Sequence, residues 1–339
     1  MNKYFRYTLI IILAFSFTSL FAQTKVRFGS VIPKDSPWEM GINDYIKEVE
    51  SKSGSALKFR TYLGGQMGGE VEMIKGLAMG TLDAGAFSSA AVAEALDIPE
   101  FQVFELPFLF NNNEEVDFIL DRIMFEPMAE LLKKKGVILI MWGTNGWRGF
   151  GTVDKPVKKP SDLKGLKMRS QEADVYLEFY KALGATPVPI ATPDVLVSLK
   201  TGMVDGFDQT PIFSVSVGWA TTVKYFTVSN HIYQPGVILV SKKFYDKLNE
   251  SSKKACLIQD KRIEISIKSR NYVRNDNDEI LKSLQNDFNV QVNYLDAQQI
   301  NEFKKSIQSV YKVMTGKISE DIMSQVINEL KKYRMNKLK

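Results

Sequence analysis

The strongest constraint on the fold is a unit of strand, turn and helix that recurs in two series along the 339 residues. Val26 to Val31 alternates as a strand, and Pro33-Lys34-Asp35 supplies a turn before a helix that opens at Ser36-Pro37-Trp38-Glu39. Ser36 and Glu39 match a capping box, and Pro37 takes the first helical position, where its missing N–H costs nothing. Ile42, Tyr45, Ile46 and Val49 repeat at helical spacing, and Gly54 stands where a left-handed residue ends a helix. Leu57, Phe59 and Thr61 resume a period of two. This order predicts a parallel strand pair joined by a right-handed crossover.

The first series continues through a Gly-rich turn at Gly64 to Gly69 and a helix over Glu70 to Met79. A strand near Ala84 to Ser88, a helix around Glu114 to Lys134 and an apolar strand at Val137 to Trp142 complete it. The second series has strands at Leu166 to Arg169, Thr186 to Ile190 and Val204 to Asp208, with helices near Ala173 to Leu183 and after Thr192-Pro193. Leu77 to Ala84 and Leu199 to Gly206 share a helix end, a terminating Gly, an apolar residue and an Asp. The predicted fold class is therefore α/β in two lobes with a cleft between them. Lobe I takes residues 23–145 plus about 234–270, and lobe II takes 146–233 plus about 271–339.

Ser251 to Phe288 contains no Pro or Gly. As one helix of ~37 residues it would be ~55 Å long and could brace both lobes. Two helices broken near Asn275-Asp276-Asn277 fit the pattern equally. The basic end from Lys331 to Lys339 reads as solvated.

Met1 to Arg6 is basic, Thr8 to Phe17 is mostly apolar, and Ala22 is a small residue at the end of the run. Residues 1–22 therefore read as a cleavable signal peptide; as an uncleaved anchor, Tyr7 to Phe21 falls short of the ~20 residues a bilayer needs. No Cys follows the run, which leaves no lipoprotein attachment, and the expected location is periplasmic. The 44 basic and 39 acidic side chains leave a net charge of +5, reduced to +3 if Lys3 and Arg6 depart with the leader. That surplus does not argue for nucleic acid. Cys256 and His231 are the only residues of their kinds, so an intramolecular disulfide is impossible and a Cys/His zinc site is not expected. His231 reads as structural and Cys256 as a small buried filler. No cofactor is expected: the Gly64 to Gly69 turn lacks the Lys-Ser/Thr ending of a phosphate loop, and Glu70 stands where phosphate would sit.

Ligands of open α/β sheets bind beyond the carboxyl ends of the strands. That rule selects Phe87, Ser88 and Ser89 in the first lobe and Arg169, Asp208, Gln209 and Thr210 in the second, with Arg148 near the crossing between lobes. Arg169 closes its strand, and a guanidinium offers a planar fork that matches a carboxylate with two parallel bonds. Such a fork contributes about 3–6 kcal/mol, whereas a micromolar ligand needs about 8. Enclosure must supply the remainder, and Trp38, Phe87, Trp142, Trp147 and Phe207 are candidate walls. A surface Arg169 paired to Glu172 or Asp174 is the competing reading.

Four stretches carry a resemblance to a known family: Tyr62 to Glu70, Phe104 to Phe110, Asp162 to Arg169 with Ala182 to Pro189, and Thr201 to Gly206. In order and spacing they resemble the DctP-type solute-binding proteins of TRAP transporters. The resemblance implies a periplasmic-binding-protein fold whose two lobes close over an organic acid, with a long C-terminal helix spanning both. It also implies delivery to TRAP membrane permease subunits driven by an ion gradient. Arg169 matches the arginine that clamps the ligand carboxylate, and Arg148 matches a second arginine that often contacts ligand. After Asp205-Gly206, many members read Gln-Glu-Asn-Pro, whereas this chain reads Phe207-Asp208-Gln209-Thr210-Pro211. Gln209 could replace the usual amide, and the neighbouring aromatic and acid point to a less polar monocarboxylate.

The site expected from residues and resemblance together comprises Arg169, Arg148, Gln209, Asp208, Phe207, Ser88, Phe87, Trp38 and Glu70. No metal and no catalytic residue is expected among them. A binding protein of an ATP-driven importer is an alternative, as is an exported enzyme using Asp208 or Glu70 as acid or base. Some relatives with altered cleft residues also work with a helical-repeat accessory protein, a further partner that the sequence leaves open.

Overall fold

The computed structural model describes residues 23–337, so the predicted signal peptide lies outside the described residues. Eleven strands form two sheets. The first contains β1 (Thr24–Gly29), β2 (Leu57–Tyr62), β3 (Ala84–Ser88), β4 (Val137–Trp147) and β10 (Tyr233–Ser241), in the order β2-β1-β3-β10-β4. β1 runs parallel to both β2 and β3, the crossover geometry expected of its strand and helix order, while β10 enters antiparallel between β3 and β4. The second contains β5 (Gly149–Thr152), β6 (Lys167–Ser170), β7 (Thr186–Pro189), β8 (Gly206–Gln209), β9 (Tyr225–Val228) and β11 (Gln291–Tyr294), in the order β11-β9-β5-β8-β6-β7.

Local chemistry explains the elements that the sequence marks clearly. Ser36 accepts from the Glu39 N–H at the start of the helix Pro37–Lys52, and Pro37 is at its opening. Glu72 caps the head of Glu70–Met79 by accepting from the Gly69 N–H. Gly80 and Gly202, the shared glycines of the internal echo, both adopt left-handed backbone, at φ 82° and 71°. The segment expected as one helix from Glu114 to Lys134 is instead Asn113–Phe118, a π turn at Ile119–Ile123 and the helix Phe125–Lys134.

The chain crosses between the sheets twice without a helix, through Arg148 between β4 and β5 and through Ser229 to Ile232, where Asn230 is left-handed at φ 46°, between β9 and β10. The two crossings are bonded to each other by Arg148 N to Ile232 O at 2.9 Å. A third link is helical. Arg262–Asn275 packs on Pro37–Lys52 and β4, and Asn277–Asn286 continues it onto Pro211–Ser216 and β11 in the second lobe.

This run differs from a single helix over 251–288. Glu250–Leu257 ends separately because the chain turns at Ile258, in left-handed conformation at φ 42°, and so buries Cys256, Ile258 and Ile265 in one cluster of the first lobe. A straight helix could not aim all three at that cluster. The basic C-terminal end is not merely solvated. It belongs to the helix Glu320–Lys337, which returns to the first lobe, where Tyr333 stacks on Phe118 and Arg334 pairs with Glu115. Residues 320–337 therefore pack with lobe I, not with the lobe II segment to which 271–339 was assigned. Among the described residues no helix is long and apolar enough to cross a membrane.

The helical link meets Pro37–Lys52 at Gly41, where an added Cβ would lie 2.7 Å from Ser269 Cβ. Gly41→Ala should cost about 1–3 kcal/mol in thermal unfolding, and adding Ser269→Gly should recover most of it. Equal melting of Gly41→Ala and wild type would contradict this close approach.

Candidate ligand-binding site

Arg169 lies in β6, beside β8 of the second sheet, and is 1% exposed. Its Nε and Nη2 donate to Ile190 O at 3.0 and 2.8 Å, and its guanidinium carbon lies 5.2 Å from the centre of the Trp219 ring. Nη1 has no hydrogen-bond partner in spite of its burial. A guanidinium carries five N–H hydrogens, so the two given to Ile190 leave three, two of them on the unpaired nitrogen. No carboxylate lies within ion-pairing distance: Asp174 is engaged by Lys317 at 2.6 Å, and Glu172 forms no ion pair among the described residues. Burial and, after it, nearby Arg148 lower the Arg169 pKa to about 10, with Asp208 countering only in part. The result is a buried cation without its own anion.

Arg148 has the opposite electrostatics. It is fully buried, with Nε on Asp208 Oδ2 at 2.6 Å, Nη1 on Gln209 Oε1 and Gln234 Oε1 at 3.2 and 2.8 Å, and Nη2 on Asp208 O. The Tyr176 ring covers it at 4.7 Å. Burial alone would lower its pKa, but Asp208 outweighs that and raises it. Likewise burial would raise the Asp208 carboxyl, yet Arg148 and His231 hold it well below the usual carboxylate range. The other Asp208 oxygen accepts from Tyr180 at 2.8 Å. The His231 ring stacks on both Phe150 and Phe179, with Nδ1 on Ser229 at 2.7 Å and Nε2 3.4 Å from Asp208, which makes it the structural side chain expected.

These contacts correct three expectations. Asp208 does not face a ligand, because one of its oxygens accepts from Arg148 and the other from Tyr180. Phe207, on the opposite face of β8, is wholly buried against Trp219 and so supports the platform behind Arg169 without walling the cleft. Arg148 lines no part of the cleft and ties the crossing strands together. Trp142 packs on Phe101 and Phe104, and Trp147 on Tyr233, so these two walls are also absent.

The remaining residues do converge. Trp38, Phe87, Ser88, Glu70 and Gln209 line one chamber between the lobes. Trp38 meets Phe213 of the second lobe edge to face at 5.7 Å and donates to Thr144 O. Arg169 lines an adjoining space with the Gly65 to Gly69 turn. Glu70, Gln171 and Thr192 line both. Glu70 accepts from Ser88 N and Oγ at 2.6 and 2.9 Å; burial raises its pKa to about 7 while those two bonds pull it down. Gln209 Oε1 is occupied by Asn145, Arg148 and the Thr210 N–H, which leaves its amide nitrogen as the free end.

Asn145, Gln171, Thr192, Phe213 and Gln234 are site residues that sequence reasoning missed. Asn145 was visible only as a neighbour of Arg148, and Gln171 as the second residue beyond Arg169. Gln234 gave no signal, because β10 brings it to the crossing from 86 residues beyond Arg148. Among the described residues no group of three or more His, Cys, Asp or Glu side chains is arranged to hold a metal ion.

Asp208→Asn leaves Arg148 buried without a counter-charge and should destabilise the protein by about 3–5 kcal/mol in urea unfolding. With its pKa depressed in the folded state, the Asp208 contribution is complete above about pH 4 and is lost as acid protonates it. A change below about 1 kcal/mol would contradict the assignment of this pair.

The family model for bacterial extracellular solute-binding proteins, family 7 (DctP), matches residues 28–317. A solute-binding protein of Verminephrobacter eiseniae is 30% identical, over 69% of each chain. The C4-dicarboxylate-binding periplasmic protein DctP of Rhodobacter capsulatus is 29% identical, over 70% of each. The solved structure of the sugar acid binding protein DctPAm from Advenella mimigardefordensis, in complex with galactonate, superposes with a TM-score of 0.86 at 28% identity, covering 91% of this chain and 98% of that one. With the family model spanning most of its length and the two-lobed fold shared with a solved relative, this chain belongs to the DctP family of extracellular solute-binding proteins.

Proposed function

We propose that the protein is the periplasmic receptor of a TRAP-type secondary transporter, capturing an organic acid by its carboxylate on Arg169. The unpaired, buried Nη1 of Arg169 carries this reading. A ligand carboxylate supplies the missing anion and pairs with the outward edge of the guanidinium, while Ile190 O holds the inner edge in place. Because the cleft is lined from both lobes, the bound acid stabilises the closed arrangement through contacts that an open one lacks. The relatives' ligands, a C4-dicarboxylate and a sugar acid, support organic acids as the class, and an expectation confined to monocarboxylates is narrower than the family. Residues 1–22 act as the export signal, and the membrane permease receives the ligand. No enzymatic step is assigned, since Asp208, the acid first considered as a general base, is locked in its ion pair. Glu70 assists binding without chemistry.

Arg169→Ala should abolish binding of any acid the wild type retains, and Arg169→Lys should weaken it at least tenfold, both by calorimetry. Wild-type affinity in both variants would remove the assignment.

Glu70 lines the same space as Arg169, and an incoming anion favours its protonated form. Binding therefore takes up part of a proton, and affinity falls by up to tenfold per pH unit above about 7. Glu70→Gln should flatten this dependence; an unchanged slope in the variant would show that Glu70 is not its source.

A further inference from the structure

The cleft is chemically divided. Its Arg169 end presents Glu70, Glu172 and Asp194 beside the cation. The other chamber has an apolar floor set by strand register: Ala86 of β3 stands opposite Ile238 of β10, which in turn stands opposite Met141 of β4. All three are buried and line the space, as do Val237 and, from the second lobe, Phe213. The polar groups at its edge are largely committed to the protein. Ser88 Oγ donates to Glu70, and Asn145 Nδ2 bridges Gln209 and Gln234, whose oxygens also accept from Arg148. The polar atoms left uncommitted are Thr144 Oγ1, which is buried without a partner, the amide nitrogens of Gln209 and Gln171, and the hydroxyls of Thr192 and Ser269, and none of them belongs to the row Ala86, Ile238 and Met141. A polyhydroxylated body laid on this floor would lose its water without replacement bonds, which is costly. An aliphatic body loses nothing and releases water from the floor.

We infer that the ligand is a carboxylic acid with an aliphatic body, its carboxylate on Arg169 and its hydrocarbon portion on the row Ala86, Ile238 and Met141. The assignment rests on the Arg169 reading for the carboxylate and adds the class of molecule attached to it. The two spaces share Glu70, Gln171 and Thr192, so one molecule can occupy both. Selectivity then comes from this floor, on a chain whose relatives include a sugar-acid binder.

The test is calorimetry of the mature protein with straight-chain acids from propanoate to octanoate, and with gluconate as the polyhydroxy control. Each added methylene should tighten binding about fourfold until the chamber is full, and hexanoate should bind at least tenfold tighter than gluconate. Ala86→Leu, which raises the floor, should weaken octanoate at least tenfold and leave propanoate within twofold. Ile238→Thr, smaller by one carbon and so free of crowding, should weaken hexanoate and octanoate alike. Affinity independent of chain length, or gluconate bound more tightly than hexanoate, overturns the aliphatic assignment while the Arg169 reading stands. Undiminished binding of these acids by Arg169→Ala overturns the reading beneath it. Binding of none of the acids overturns the aliphatic assignment as well.

Discussion

A guanidinium with three unpaired N–H hydrogens has been taken out of water at Arg169, and the surrounding structure keeps it there without an anion. Burial of an uncompensated charge is expensive, so other contacts must hold the side chain in place. Ile190 O accepts its inner edge, Trp219 lies beneath its face, and Phe207 and Phe213 pack edgewise on that indole. A platform built this way fixes the direction of the open edge and leaves the countercharge to whatever enters the cleft.

Arg148 shows what the same side chain does when its anion is built in. Asp208 neutralises it, and Gln209 and Gln234 take the remaining directed bonds. Gln234 then passes the network to Glu105, Gln171 and Tyr176. Glu105 follows the first-sheet helices, while Tyr176 and Asp208 belong to the second lobe, so the network ties the two lobes at their crossing. The helical link adds a second tie; its first-lobe half is held by Arg270 on Asp117 and Asp121 and by Arg274 on Asp117, and its second half packs on Pro211–Ser216. One arginine thus anchors the crossing, and the other has no built-in anion.

The fold was readable where local chemistry sets it. The capping box at Ser36, the helix over Glu70 to Met79 and the parallel β1 and β2 follow from periodicity and turn residues alone. β10 was not readable: Pro235 and Gly236 interrupt its pattern, and its place between β3 and β4 depends on partners roughly 100 to 150 residues away. In the site, Arg169 stood out because a charged residue closed an otherwise ordinary strand. The roles of Asp208 and Phe207 were not recoverable, because adjacent residues of a strand face opposite sides and the sequence does not say which side is the cleft. Nor could spacing distinguish Arg148 from Arg169, since the difference between them is a counter-ion 60 residues along the chain from Arg148.

The central claim is that the anion missing beside Arg169 is the ligand's carboxylate. A crystal structure of the protein with a bound acid tests it most directly. The account predicts both carboxylate oxygens within about 3 Å of Nη1 and Nη2 of Arg169, with Ile190 O still bonded to the inner edge and Arg148 still on Asp208. A carboxylate seated on Arg148, with Asp208 displaced, or an acid bound away from Arg169 altogether, would contradict it.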